Sequence, residues 1–263
     1  IWIKYRRSSI SIINNYNNSP SFDVRKIGLQ FNLNYGKIGL QSMYGNFGQA
    51  GVVGVRPYVK PLQFTSLTDL PILNNIEIGL TYAGDFNQFA TVAYGPTLLR
   101  VFPPILQPSD LVGNGALHVI GADIGFPIIR GDIAGLELYA DFVKIIDFGS
   151  GAAAGVLFRL DGAALVNLRA RLERRFNGRQ YLPSYFSSFY EIERFNQSIP
   201  SAKSLTLQNF TAYSKGVYGD LLVRVINTFD IYGSYERLDN IPLSGDFHLW
   251  TELAPKDAPV LAR

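Results

Sequence analysis

The chain of 263 residues has no cysteine, two histidines and one methionine. Without cysteine there are no disulfides, thiolate nucleophiles, zinc-thiolate sites or iron–sulfur clusters. Two histidines leave little for a histidine metal site or a catalytic triad. Charge is thin, at 17% of residues, where soluble domains carry roughly 25%. Long apolar runs are missing too. The longest stretch free of Asp, Glu, Lys and Arg, residues 38–55, is broken by Gly39, Gly45, Gly48, Gly51 and Gly54. A spanning helix needs about 20 mostly apolar residues, so none is encoded. Disorder is excluded because 47% of residues are hydrophobic and 13% aromatic. A net charge of +3 gives no argument for nucleic acid.

What is present is period two. In residues 27–35, Ile27, Leu29, Phe31, Leu33 and Tyr35 alternate with Gly28, Gln30, Asn32 and Asn34. Side chains alternate across a strand, so this reads as a strand with one apolar and one polar face. Residues 76–83, 164–176, 229–235 and 247–253 repeat the pattern, with weaker versions at 119–126, 152–161 and 217–226. The pattern predicts about 13 strands: 1–14, 22–35, 37–47, 50–60, 74–84, 115–127, 134–146, 150–160, 163–176, 204–212, 216–227, 229–238 and 246–254. Lys144-Ile145-Ile146 breaks the alternation of its strand, which predicts a bulge there. Tight turns such as Asp161-Gly162 and Asn227-Thr228 predict antiparallel neighbours. Two connections are long, about 85–114 and 177–203, and parity places both at one end of the sheet. Residues 1–263 read as one domain. The opening Ile1-Trp2-Ile3-Lys4-Tyr5 reads as strand, which predicts a piece of a longer chain.

Alternation does not say which face meets water. Strands of 10–14 residues suit membrane crossing, which takes about 9–11 residues per tilted strand. Eight strands already leave just enough interior for side chains, so a larger soluble barrel would enclose an apolar void. Tyr35, Tyr82, Phe126, Phe176 and Phe229 fall near strand ends, as interfacial girdles do. The paired segments 27–35/38–45 and 152–161/164–176, with tight turns between them, resemble bacterial outer-membrane β-barrel proteins. The resemblance is one of architecture, spread over nearly the whole chain. It implies an all-β, antiparallel up-and-down transmembrane barrel of about 12–14 strands, an outer-membrane location and lipid as a partner. Single-chain bacterial barrels have an even strand number. The odd count predicts a hidden strand in 179–195, or strands beyond the given sequence in a larger barrel.

The residues singled out for function lie on the polar faces. Arg169, Arg171 and Arg175 share one face with Glu173, spaced about 6.5–7 Å apart. In a barrel they would line the lumen together with Glu77, Asp123, Arg159, Arg224 and Asp230. A row of arginines suits an anion-binding constriction; cross-strand ion pairing that fills a narrow lumen is the plainer reading. His118 and His248 have no motif partner, and no Gly-x-Ser-x-Gly occurs, so no enzyme, cofactor or metal is expected. The aromatic segment 181–195, with Tyr185, Phe186, Phe189 and Tyr190, reads as an infolded loop, a partner-docking patch or an extra strand. The pattern therefore predicts a porin-like conduit. A non-conducting barrel that anchors other outer-membrane or periplasmic proteins, and a soluble all-β binding protein, are the alternatives.

Overall fold

The computed structural model describes residues 12, 13, 16, 18, 26–48, 51–65, 73–89, 115–163, 166–196, 201–226, 228–239 and 241–253. The period-two segments build one antiparallel sheet. Its strands are β1 (Leu29–Asn34), β2 (Ile38–Tyr44), β3 (Val52–Val59), β4 (Glu77–Asp85), β5 (Leu117–Arg130), β6 (Ala134–Ile145), β7 (Ser150–Ala163) and β8 (Val166–Asn177). After a pair of two-residue strands, β9 (Phe195–Asn196) and β10 (Ser201–Ala202), the sheet resumes with β11 (Ser214–Val225), β12 (Phe229–Leu238) and β13 (Asp246–Leu253). The sheet is an eleven-stranded meander in which every strand pairs with its neighbour in order, β8 pairing with β11.

Turn chemistry explains the tight connections. Gly36, between β1 and β2, takes φ +71°, a left-handed backbone that suits a residue without Cβ. The long connections, 86–116 and 178–213, lie at the same end of the sheet, as parity requires. We call this the long-loop end. Residues 90–114 of the first connection lie outside the described residues.

Several expectations need correction. Residues 204–212 do not form a strand: Lys203–Asn209 is a 3-10 helix, with Ser204 and Leu207 buried. Residues 179–195 hide no spanning strand; they hold a four-residue helix, α1 (Tyr190–Glu193), and the start of the short hairpin. The register does not shift at 144–146, where β6 runs regularly to Ile145, but between Leu160 and Ala163 of β7 and between Pro127 and Ile129 of β5. A proline with no N–H to give the ladder accounts for the shift in β5. Most of the predicted first strand, 1–14, lies outside the described residues. Ile12 and Ile13 are buried, and Ile13 forms an isolated parallel bridge with Phe186 rather than extending the sheet. The sheet is open among the described residues: β1 and β13 are its edges and do not pair with each other. No described helix is long and apolar enough to cross a membrane, which says nothing of strands.

The two faces of the sheet are inverted relative to a protein packed in water. One row of β5, Ile120, Ala122 and Ile124, lies on the open side, while Asp123 on the other row is buried. On β8, Leu172 and Phe176 are exposed while Arg171, Glu173 and Arg175 are buried. The same sorting holds along β4, where Ile78 and Leu80 are exposed and Glu77 and Thr81 are buried. The open face is therefore apolar, and the covered face carries the charges. At the long-loop end the covered face turns apolar. There Met43, Val52, Ala83, Leu117, Val119, Val143 and Ile145 pack with Ile12, Ile13, Tyr16, Tyr181, Tyr185, Phe186, Tyr190 and Leu207.

Candidate functional site: the charged covered face

The register brings the inward charges into separate groups. The first is centred on Arg56 of β3, which is fully buried. Its Nε donates to Asp123 Oδ2 at 2.9 Å and its Nη2 to Asp123 Oδ1 at 2.6 Å, a forked pair. Nη2 also reaches Glu77 Oε1 at 3.0 Å, and Nη1 reaches Gln41 Oε1 at 3.2 Å. Gly79 makes this possible, because a Cβ there would stand 2.5 Å from both Arg56 Nε and Asp123 Oδ2. The predicted residues Glu77 and Asp123 are thus held together by a cation that the pattern did not single out. Alternation in Val52–Val59 is blurred by valines on both faces.

The second group lies on β6, β8, β11 and β12. Glu173 is its hub. It accepts from Tyr139 Oη at 2.7 Å and from Arg175 Nε at 2.8 Å, and Arg171 Nη1 lies 3.5 Å away. Arg175 also reaches Glu236 at 3.0 Å, and Arg171 pairs with Asp220. The Tyr218 ring lies under both guanidinium groups, 3.8 Å from Arg175 and 4.8 Å from Arg171. Arg171, Glu173 and Arg175 share one face as expected, and each arginine is matched by carboxylates. Tyr139 and Tyr218 were not foreseen. Their strands alternate, yet a tyrosine is ambiguous between an apolar and a polar row.

The other predicted residues sit towards the opposite end. Arg224 forms a two-pronged pair with Asp230 at 2.6 Å on both prongs. Arg159 pairs with Asp161 at 3.1 Å, both near half-exposed. Arg169 stands opposite Arg159 on β7 and Leu222 on β11. The nine predicted lumen residues therefore share one face without forming one cluster.

A third group closes the long-loop end. Arg194 donates through Nη2 to Asp85 Oδ2 at 2.6 Å and through Nη1 to Glu191 Oε2 at 3.0 Å. Tyr190 Oη donates to the same Asp85 oxygen at 2.7 Å, while Tyr16 Oη donates to Glu191. Lys26 Nζ lies 2.5 Å from Glu191 Oε2. Tyr185 Oη donates to Gln88 Oε1 at 3.0 Å, and Gln88 Nε2 donates to Ser204 Oγ at 3.1 Å. Burial holds the Tyr16, Tyr185 and Tyr190 hydroxyls well above the ordinary tyrosine range, and nearby Glu191 or Asp85 adds to it. Burial also pulls Lys203 below the usual lysine range, against its 2.7 Å contact with Glu193. Burial opposes the charge of Arg194, but Asp85 and Glu191 outweigh it and raise its pKa.

Of the four aromatics read as a docking patch, Tyr185, Phe186 and Tyr190 are turned into the chain's own interior. Only Phe189 is exposed, at 51%. His118 sits on the open face, with Nδ1 2.8 Å from Tyr82 Oη. No family model, curated protein or solved structure matches the chain.

Proposed function

We propose that this chain forms the wall of a β-barrel in a bacterial outer membrane, with its open apolar face against lipid and its charged face lining a porin-like conduit. The inversion of the sheet carries this reading. A soluble protein rarely exposes an apolar patch beyond a few hundred Å². Here large exposed apolar side chains follow one another across the open rows from β1 to β13, through Phe31, Leu80, Ile120, Leu138, Leu172, Leu221 and Leu249. In water each such large side chain forgoes about 1.5–3 kcal/mol of burial; in hydrocarbon that cost disappears. Tyr35, Phe176 and Phe229 lie exposed at or beside strand ends, where girdle aromatics belong. The charged groups are paired both within and across strands, so the conduit is polar yet close to self-neutralised along its wall.

One observation favours a second reading, a non-conducting anchor. Tyr181, Tyr185, Phe186, Tyr190 and Leu207, from the second long connection, pack on the covered face at the long-loop end, and the Asp85–Arg194–Glu191 network ties that connection there. Two measurements on the full chain separate the readings. Flotation with lipid vesicles, resistant to alkaline wash, is expected of either membrane reading; extraction without detergent would end both. Planar-bilayer recording is expected to show discrete conductance steps. A folded, inserted sample that never conducts would leave the anchor and remove the conduit.

A further inference from the structure

The open face has one charged margin. Lys144 on β6, Arg174 on β8, Lys215 on β11 and Arg237 on β12 all lie on the apolar side of the sheet, near its long-loop end. Elsewhere on the described open rows of these four strands the side chains are uncharged, and apart from the Tyr235 hydroxyl they are apolar or absent. Phe142, Ala152, Phe176 and Lys215 form a single cross-strand row. Arg174, Val217 and Arg237 form the next row towards mid-sheet. Strands stand about 4.8 Å apart and residues two apart on a strand about 6.7 Å, so Lys144, one row beyond Lys215 and three strands away, is roughly 16 Å from it, and Arg174 and Arg237 are roughly 10 Å apart.

Against this margin lies a groove of about 610 Å³, lined by Phe142, Ala152, Phe176, Tyr213, Lys215 and Asp239 among others. Asp239 is the one carboxylate there, and it is paired with Arg174. Lys215 and Arg237 make no ion pair among the described residues. Lys215 lines the trough and Arg237 stands in the next row on the adjacent strand, an arrangement that matches an acyl chain joined to an anionic head.

The geometry points to a binding site for a phosphorylated lipid, with one acyl chain along Phe142 and Phe176 and the phosphate at Lys215 and Arg237. The site rests on the membrane reading above, because only a lipid-facing groove would meet such a chain. Charge complementarity selects the ligand: Arg174, Lys215 and Arg237 stand against the one carboxylate, Asp239, and that excess disfavours a zwitterionic head relative to an anionic one. Basic residues at a membrane surface each strengthen binding of anionic lipid about five-fold.

The test uses the full chain in detergent micelles supplemented with phosphatidic acid or phosphatidylcholine, with bound lipid counted by native mass spectrometry. The wild type is expected to retain phosphatidic acid in preference to phosphatidylcholine. The exposed-site variant Lys215→Gln/Arg237→Gln is expected to lose roughly 30-fold of that preference while still floating with vesicles. Phe142→Ala/Phe176→Ala is expected to weaken both lipids without changing their ratio. Inorganic phosphate at millimolar concentration is expected not to displace the lipid; displacement would reduce the site to one for a free anion and overturn the lipid assignment. A wild type that floats but shows no preference would overturn the inference alone. A wild type that does not float would overturn the membrane reading beneath it.

Discussion

Placing a charge on the open face at two depths separates a lipid-facing wall from a water-facing one. Leu172 lies near the middle of β8 and is 59% exposed, with Val156 and Gly219 beside it on the flanking strands. Gly219 leaves room for a longer side chain, so Leu172→Arg creates no steric conflict in the wall. Val225 points to the same side but ends β11, at the margin away from the long loops. In water, a substitution at an exposed position changes stability by no more than about 0.5 kcal/mol. In hydrocarbon, arginine at the midplane of a barrel costs about 2–4 kcal/mol, falling to about 0–1 kcal/mol at the interface. Leu172→Arg should therefore shift the folding equilibrium roughly 30- to 700-fold, and Val225→Arg less than about six-fold. Guanidinium unfolding in lipid vesicles, followed by tryptophan fluorescence, reads both. Leu80→Arg, at 61% exposure on β4, repeats the central substitution across the sheet. Equal and near-zero effects at all three positions would refute the inversion argument.

Other predictions concern the covered face. Arg56→Met leaves Glu77 and Asp123 buried without their cation and should cost about 3–5 kcal/mol. The triple variant Arg56→Met/Glu77→Gln/Asp123→Asn should recover most of that loss in the same unfolding assay, and a triple no better than the single would sink the pairing account. Gly79→Ala should cost about 1–3 kcal/mol, because its Cβ meets Arg56 Nε; unchanged stability would mean the guanidinium does not lie across β4. The tyrosines of the long-loop end set a pH limit. Tyr16, Tyr185 and Tyr190 have folded pKa values raised above the unfolded value of about 10. Their contribution is complete below pH ~10 and is lost as pH rises beyond it. Absorbance at 295 nm should show these tyrosines ionising late and together with loss of tertiary structure. Smooth titration of all tyrosines near pH 10 in an intact fold would contradict it.

Period two made the sheet legible because pleating ties residue parity to face, so the inward row of β8 and the outward row of β5 could be read directly. The same parity placed the long connections at one end, since each tight turn reverses direction. What alternation could not carry is distance along the chain. Asp85 and Arg194 are 109 residues apart, and no local pattern links them. Arg56 was missed as the partner of Glu77 and Asp123 because its own strand alternates poorly. Lys203–Asn209 alternates like a strand over a few residues, yet it forms a seven-residue 3-10 helix that buries Leu207. The aromatic segment was open to helix, strand or loop because aromatic side chains suit a girdle and a core equally; Tyr190 and Tyr185 are resolved into the core by Asp85 and Gln88.

The open edges bear directly on the membrane reading. An unpaired edge strand in hydrocarbon leaves backbone N–H and C=O groups without partners, each at a cost of several kcal/mol. The outer edges of β1 and β13 must therefore be covered if the wall sits in lipid. Direct pairing is topologically constrained. An odd meander runs its first and last strands in the same direction, so β1 and β13 both start from the long-loop end. They could meet only as a parallel pair, which is slightly less stable per residue than an antiparallel one. A twelfth strand running the other way would restore an all-antiparallel, even-numbered wall. The absence of cysteine makes this measurable, since any introduced pair reports alone. Leu33→Cys/Leu40→Cys joins facing residues of β1 and β2 and should oxidise readily in vesicles. Phe31→Cys combined with a cysteine at each outward position of β13 in turn should give no disulfide within one chain. A disulfide in any of these registers would refute the twelfth strand and establish direct parallel closure.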